Sequence, residues 1–207
     1  MDKMALHVCC APCLATAMET LRHEDATAFP AVGGIIFFNP NIHPLLEFRR
    51  RVKALRLYLE RDPLPSEIDD KYGLLEYLAA VHGADGAPLK GRDRCYRCYA
   101  LRLKRAAELA AKNGFAAFST TLLASREQDR ELVAEAGREA AAGRGLEFVT
   151  ADLRKLLPPD KLMRGIYKQQ YCGCIFSEEE RFRNTNKHVY RPGGGEEAVP
   201  EAGDESQ

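Results

Sequence analysis

The sequence predicts an α/β protein in which a parallel sheet is flanked by helices and a cysteine-rich site sits at the carboxyl ends of the strands. Three observations carry that expectation. Short apolar runs of strand length alternate with longer segments of helical periodicity along the 207 residues. Strands separated by helices of this length pair in parallel, because a parallel crossover needs a dozen or more residues. Finally, CCAPC, NPNIHP and TTLLAS each stand where a strand run has just ended. Open α/β sheets build their sites at that edge.

Taken in order, Met4–Val8 reads as a buried strand and Pro12–Arg22 as the helix behind it. VGGIIFF (32–38) is a second apolar strand, followed by NPNIHP, a loop broken by two prolines. Leu45–Arg61 places Leu45, Phe48, Val52, Leu55 and Leu59 on one helical face. DPLPSEIDD reads as a connection to a short helix over Leu74–Val81, after which comes a Gly-rich loop. Cys95–Lys112 has helical character and meets a stop signal at Asn113-Gly114. FAAFST (115–120) is a third strand. Ser125 with Gln128 makes a capping-box opening for a helix to about Ala142. LEFVT (146–150) is a fourth strand, a last helix precedes YCGC, and another short one is expected after it. The class is therefore Rossmann-like, of the HUP or nucleotide-hydrolase type, with one catalytic domain over 1–183. Residues 184–207 form a Gly-rich tail whose end carries five acids and no base; that composition predicts disorder.

Composition narrows the class further. With 45% hydrophobic residues the chain buries an ordinary core without disulfide staples. No run of eighteen apolar residues spans a membrane, and MDKMALHV is not a secretory signal, so a cytoplasmic location is expected. Cytosolic thiols stay reduced, and seven cysteines cannot all pair. Clustered thiols there hold metal or do redox chemistry. Without the terminal fifteen residues, thirty bases face twenty-five acids, so the body of the chain is basic.

The thiols come as CCxxC (Cys9, Cys10, Cys13), CxxC (Cys95, Cys98) and CxC (Cys172, Cys174). The first group lies in a strand-to-helix turn, where helix dipole and free amides favour thiolate. Phosphate-binding turns carry glycine or serine at this place, so a nucleotide-phosphate cradle is not supported. Cys95 and Cys98 are three apart at a helix start and share a face. Four converging thiolates suit zinc or a 4Fe–4S cluster, and adjacent cysteines lean towards the cluster. Residues i and i+2 have Cα atoms at most ~7 Å apart, so Cys172 and Cys174 can close a strained disulfide over Gly173 or serve as further ligands.

At these residues the chain resembles the cobalamin-independent epoxyqueuosine reductases of the QueH type. The segments that carry the likeness are LHVCCAPC, FFNPNIHP, GRDRCYRCYALRL, FSTTLLAS and YKQQYCGCIFS, in family order from Leu6 to Ser177. The resemblance implies reduction of epoxyqueuosine in a tRNA anticodon loop, the last step of queuosine biosynthesis. It further implies a 4Fe–4S cluster on Cys9, Cys10, Cys95 and Cys98, and a redox-active dithiol at Cys172 and Cys174. Two departures stand out: Tyr72-Gly73 replaces a Tyr-Asp pair, and Tyr167-Lys168-Gln169 replaces Tyr-Arg-Gln, which loses a guanidinium fork. Neither Asp69 nor Asp70 is assigned the missing acid's role.

Cys13 is then expected to help hold a second, mononuclear iron or to stand as a thiol beside the substrate. Asp152 is a candidate ligand or proton donor, weighed against a solvated turn acid. His43 is a candidate acid, whereas His7 reads as a packed strand residue. Thr120, Thr121 and Ser125 are candidates for the cyclopentane hydroxyls, with capping favoured for Ser125. Runs 47–56 and 90–105 carry five and seven bases with one acid each, so Arg49, Arg50, Arg51, Arg97 and Lys168 are expected RNA contacts. Tyr96, Tyr99 and Tyr171 are candidate stacking platforms. The electron donor is not identifiable. The competing readings are a zinc-stabilised RNA-binding module without catalysis, which leaves CxC unexplained, and a tRNA sulfur-transfer enzyme, which would need a phosphate loop.

Overall fold

A computed structural model describes residues 3–23 and 29–184. The acidic tail lies outside the described residues. Five parallel strands form one sheet: β1 (Met4–His7), β2 (Val32–Phe37), β3 (Ser66–Ile68), β4 (Ala117–Thr120) and β5 (Glu147–Phe148), in the order β3-β2-β1-β4-β5. β1 is central, and all four of its residues are buried. Leu6 stands between Ile35 of β2 and Ser119 of β4. With both faces covered, β1 and β4 are buried at every position rather than alternating. The order reverses on either side of β1, which makes the carboxyl end of β1 the switch point.

The helices are α1 (Ala11–His23), α2 (Leu45–Arg61), α3 (Leu74–Val81), α4 (Gly91–Lys112), α5 (Arg130–Ala141), α6 (Asp160–Met163) and α7 (Ile175–Asn184). α1, α2 and α4 bury apolar faces on the sheet through Leu14, Ala15, Phe48, Leu55, Leu103 and Ala106. α5 packs along α4 and covers Phe148 with a glycine: a methyl at Gly137 would lie 2.3 Å from the Phe148 ring.

Several boundaries differ from expectation. β3 lies inside DPLPSEIDD; its three residues are half or fully exposed and pair only through backbone with Ile35–Phe37, so no apolar pattern marks it. LEFVT yields a two-residue strand at the other edge. α4 begins at Gly91, so Cys95 and Cys98 stand past its first turn rather than at its start. Ser125 does not cap α5. Thr120 caps a 3₁₀ turn over Thr121–Ala124, which uses up that stretch, and α5 opens at Asp129, whose carboxylate accepts from the Glu131 and Leu132 amides at 3.1 and 3.2 Å. The helix before YCGC is only four residues long.

Candidate metal and thiol centre

β1 delivers Cys9 and Cys10 to the switch point, and α1 begins at once behind them. Thr121, at the end of β4, fixes Cys9 twice: its hydroxyl accepts from the Cys9 amide at 3.0 Å and donates to the Cys9 sulfur at 3.3 Å. The Cys10 sulfur lies 3.7 Å from that of Cys9 and accepts from the Cys13 amide at 3.4 Å and from Gln169 Nε2 at 2.7 Å. The sulfurs of Cys9, Cys10 and Cys13 all lie within 4.8 Å of one another. Around a tetrahedral ion with metal–sulfur bonds of ~2.3 Å, sulfurs stand ~3.8 Å apart. This soft donor set therefore fits a thiophilic metal.

The three thiols do not ionise alike. Cys9 is held well below the usual thiol range, chiefly by hydrogen bonds from the Cys10 and Cys13 thiols. Burial pushes Cys10 up, and Cys13 is raised by its own bonds to Cys10 and Cys9. Of the three, Cys9 is the thiol whose ionised form its neighbours favour.

Cys95 and Cys98 lie outside that grouping. Cys98 is buried with Cys174, Tyr77 and Val81, and Cys172 packs against the same cluster. Cys95 is half-buried against the main core. Burial pushes Cys98 up to about 11, opposed by the positive charge of Arg102. The same guanidinium favours the Cys9 thiolate and donates to Asn39 Oδ1 at 2.5 Å. Arg102 therefore links the two thiol groups.

The CxC segment completes the centre. All seven cysteines carry free thiols. The Cys172 sulfur meets Ser177 Oγ at 2.8 Å, and Cys174 meets the Tyr77 hydroxyl at 2.8 Å. Cys174 is pushed down to about 6 by a hydrogen bond from Cys172, helped by Tyr77, the Ser177 amide and Arg94, while Cys172 is raised. One thiolate beside one thiol is the state from which a disulfide forms. Gly173, at φ 100°, brings its backbone against Arg51, whose Nη1 would stand 3.1 Å from any Cβ placed there. A cavity of about 80 Å³ is lined by Cys9, Cys13, Cys172, Arg51, Arg102 and Gln169, so the first and third cysteine segments face one space. A surface hollow of about 540 Å³ along the outer face of α2 contains no thiol.

The other sequence candidates sort themselves by burial. His7 is a strut: it bonds Thr120 Oγ1 at 2.7 Å and the Phe38 carbonyl at 3.2 Å, and burial lowers its pKa to about 3. Thr120 is thereby committed to His7 and to its turn. His43 is buried, bonded to the Tyr72 hydroxyl at 2.8 Å, with its Nε2 unpartnered and its pKa lowered by burial. Ser125 lines the thiol cavity and accepts from the Glu127 amide at 3.2 Å. Asp152 is a surface turn acid, ion-paired with Arg130 at 3.3 Å and Arg154 at 3.4 Å. Asp70 pairs with Arg56 and Asp69 caps its own turn. A side chain at Gly73 would meet Pro40 at 2.5 Å, so this backbone excludes the acid at that position.

Arg49, Arg50, Arg97 and Lys168 are exposed, but Arg51 is only 2% exposed. It binds Glu47 at 2.7 Å and donates to the carbonyls of Tyr171 at 2.9 Å and Cys172 at 3.0 Å. Its place is under the CxC loop, not on a phosphate. Tyr99 is buried, which removes it as a stacking platform; Tyr96 and Tyr171 stay half-buried, and Tyr96 donates to Glu139. Gln169, Arg102, Tyr77 and Ser177 were not singled out by the sequence. Gln169 sits in YKQQYCGC and Arg102 falls one helical turn after Cys98, but nothing local tells such residues from surface ones.

Comparison with known proteins bears on this centre. The family model described as Epoxyqueuosine reductase QueH matches residues 4–180, which include all seven cysteines. The chain belongs to the QueH family. Proteins named Epoxyqueuosine reductase QueH resemble it in Acinetobacter baylyi (33% identity, 90% of this chain, 83% of the relative) and Dehalococcoides mccartyi (31%, 89% and 97%). Thermotoga maritima has another at 33% identity, covering 94% of this chain and 99% of the relative. The QueH chain is accordingly an oxidoreductase. No helix among its described residues is long and apolar enough to cross a membrane.

Proposed function

We propose that this chain reduces epoxyqueuosine to queuosine in a tRNA anticodon loop. The observation that carries the reading is the convergence of three cysteine segments: Cys9, Cys13 and Cys172 face one cavity, and Cys174 is buried against Cys98. In net terms both C–O bonds of the epoxide break and a C=C bond forms. The oxygen leaves as water with two protons, and Cys172 and Cys174 give up two electrons as an S–S bond forms. An electron donor, still to be identified, restores the dithiol.

Cys9, Cys10, Cys95 and Cys98 would hold a 4Fe–4S cluster, with Cys13 as thiol or ligand for a mononuclear iron. Bound there, such groups supply single electrons and polarise a C–O bond. The protein residues set up the rest. Arg102 and Arg51 keep positive charge beside the thiolates, Thr121 and Gln169 orient Cys9 and Cys10, and Tyr77 holds the Cys174 sulfur. Arg49, Arg50, Arg97 and Lys168 would contact RNA phosphates.

The test is anaerobic incubation with epoxyqueuosine-containing RNA and a reductant, scored by mass for loss of one oxygen atom. An RNA mass that never changes, with iron-loaded brown protein, rejects the reaction. Cys13→Ser should keep the colour and lose turnover; full turnover would remove Cys13 from the chemistry.

A further inference from the structure

Beside the thiol cavity lies a second, larger hollow of about 460 Å³. Gln170 and Tyr171 line both, so the two are neighbours across one stretch of backbone. The larger hollow is walled by the start of α2, the 167–171 segment and α7, through Arg50, Tyr167, Lys168, Glu178 and Arg181.

Its chemistry is cationic and aromatic. Among the described residues neither Arg50 nor Lys168 has a carboxylate ion-pair partner, and both are exposed. Arg181 donates to the Gln170 carbonyl and keeps its side chain in the same wall. Glu47 is neutralised by Arg51 at 2.7 Å, which leaves Glu178 as the acid opposing three bases. The two rings are held in place: Tyr167 donates to Glu47 Oε2 at 2.7 Å, and Tyr171 to the His43 carbonyl. Arg50 lies 5.9 Å from the centroid of the Tyr167 ring. Anchored aromatic faces lose little entropy when a base stacks on them, and phosphates seek bases with no acid of their own.

We propose that this groove seats the nucleotide flanking the modified one, its phosphate on Arg50, Lys168 and Arg181 and its base on Tyr167. The proposal rests on the reading that the substrate is an anticodon loop. It adds the direction from which RNA enters, across Gln170 and Tyr171 to Cys172. It also gives Lys168 a use that needs no guanidinium fork, since a point charge suffices for one phosphate.

The experiment uses iron-loaded full-length protein and a synthetic anticodon stem-loop carrying 2-aminopurine beside the target position. Arg50→Gln with Lys168→Gln should weaken binding about ten-fold, since each exposed contact carries up to about five-fold. The slope of log affinity against log salt should fall by up to about 0.7, the value of one single-stranded phosphate contact. Tyr167→Leu should abolish the quenching of 2-aminopurine on binding, and Tyr167→Phe should keep it. Arg138→Gln, at an exposed position of α5, serves as the control with unchanged binding. Wild-type affinity and slope in the double variant overturn the groove, whatever the turnover. Binding that weakens as stated, in a protein that never removes the oxygen, upholds the groove and rejects the reductase reading instead.

Discussion

Arg51 separates a buried structural cation from a surface RNA contact, and one substitution tells them apart. Arg51→Leu removes a guanidinium that is 2% exposed and makes three hydrogen bonds of 2.7–3.0 Å. It strands the Glu47 carboxylate, itself buried, with the Tyr167 hydroxyl as its remaining partner. Breaking a buried pair by removing one member costs about 3–5 kcal/mol. The freed carbonyls of Tyr171 and Cys172 add to the loss, although such terms overlap and do not sum. About 4 kcal/mol is a large part of the 5–15 kcal/mol that holds a domain folded. With a urea m-value of about 2–3 kcal/mol/M, the midpoint should fall by roughly 1.3–2 M. Arg51→Leu with Glu47→Leu should recover most of that, because an unpaired buried charge then no longer exists. Arg51→Lys should fall between, since one ammonium cannot reach Glu47 and two carbonyls at once. A loss below about 1 kcal/mol in the single variant would refute the clamp, for that is the range of an exposed side chain.

Three further outcomes are expected. Asp129→Ala should destabilise the protein by about 1 kcal/mol as an N-cap loss, and Ser125→Ala by much less, both read from thermal melts; equal effects would restore Ser125 as the cap. Gly137→Ala should cost about 1–3 kcal/mol, since the new methyl would press on the Phe148 ring; a neutral result would mean that α5 shifts freely. The pH arm concerns Cys174, whose folded pKa is lowered from the usual thiol range near 9 to about 6. Its contribution to stability is therefore fully present above pH 9 and lost as pH falls towards 6. NMR of Cβ-labelled cysteine should show the thiolate forming near pH 6, and Tyr77→Phe should move the transition upward; an unmoved titration would remove Tyr77 from the thiolate's support.

The sheet was legible because its central strands are largely buried, and mainly apolar runs such as MALH and VGGIIF need helices on both faces to cover them. β3 was not, because an edge strand of three solvent-facing residues is made by its neighbour's amides rather than by its own side chains. The thiols were legible through their spacing alone. Their supports were hidden by distance: Gln169 reaches Cys10 across 159 positions, Thr121 reaches Cys9 across 112, and Tyr77 reaches Cys174 across 97. Arg51 misled for a local reason. In EFRRRVKALR, three arginines follow one another, and a helix turning 100° per residue sends one of them inward while its neighbours face water.

The buried arginines explain why sulfur can occupy a place that glycine holds in phosphate-binding turns. Arg102 is 3% exposed, and its Nε has no hydrogen-bond partner; Asn39, a neutral amide, takes its Nη2. No carboxylate pairs with it among the described residues. A buried cation in that position needs an anion nearby or it destabilises the fold. The groups within its reach are thiols: its charge favours ionisation of Cys98 and of Cys9. Each side therefore compensates the other, the guanidinium favouring the ionised form of Cys9 and that thiolate making the buried guanidinium tolerable. Ionised sulfur is the form that binds metal. At the switch point of the sheet this support falls on Cys9, the thiol of its group whose ionised form the fold favours.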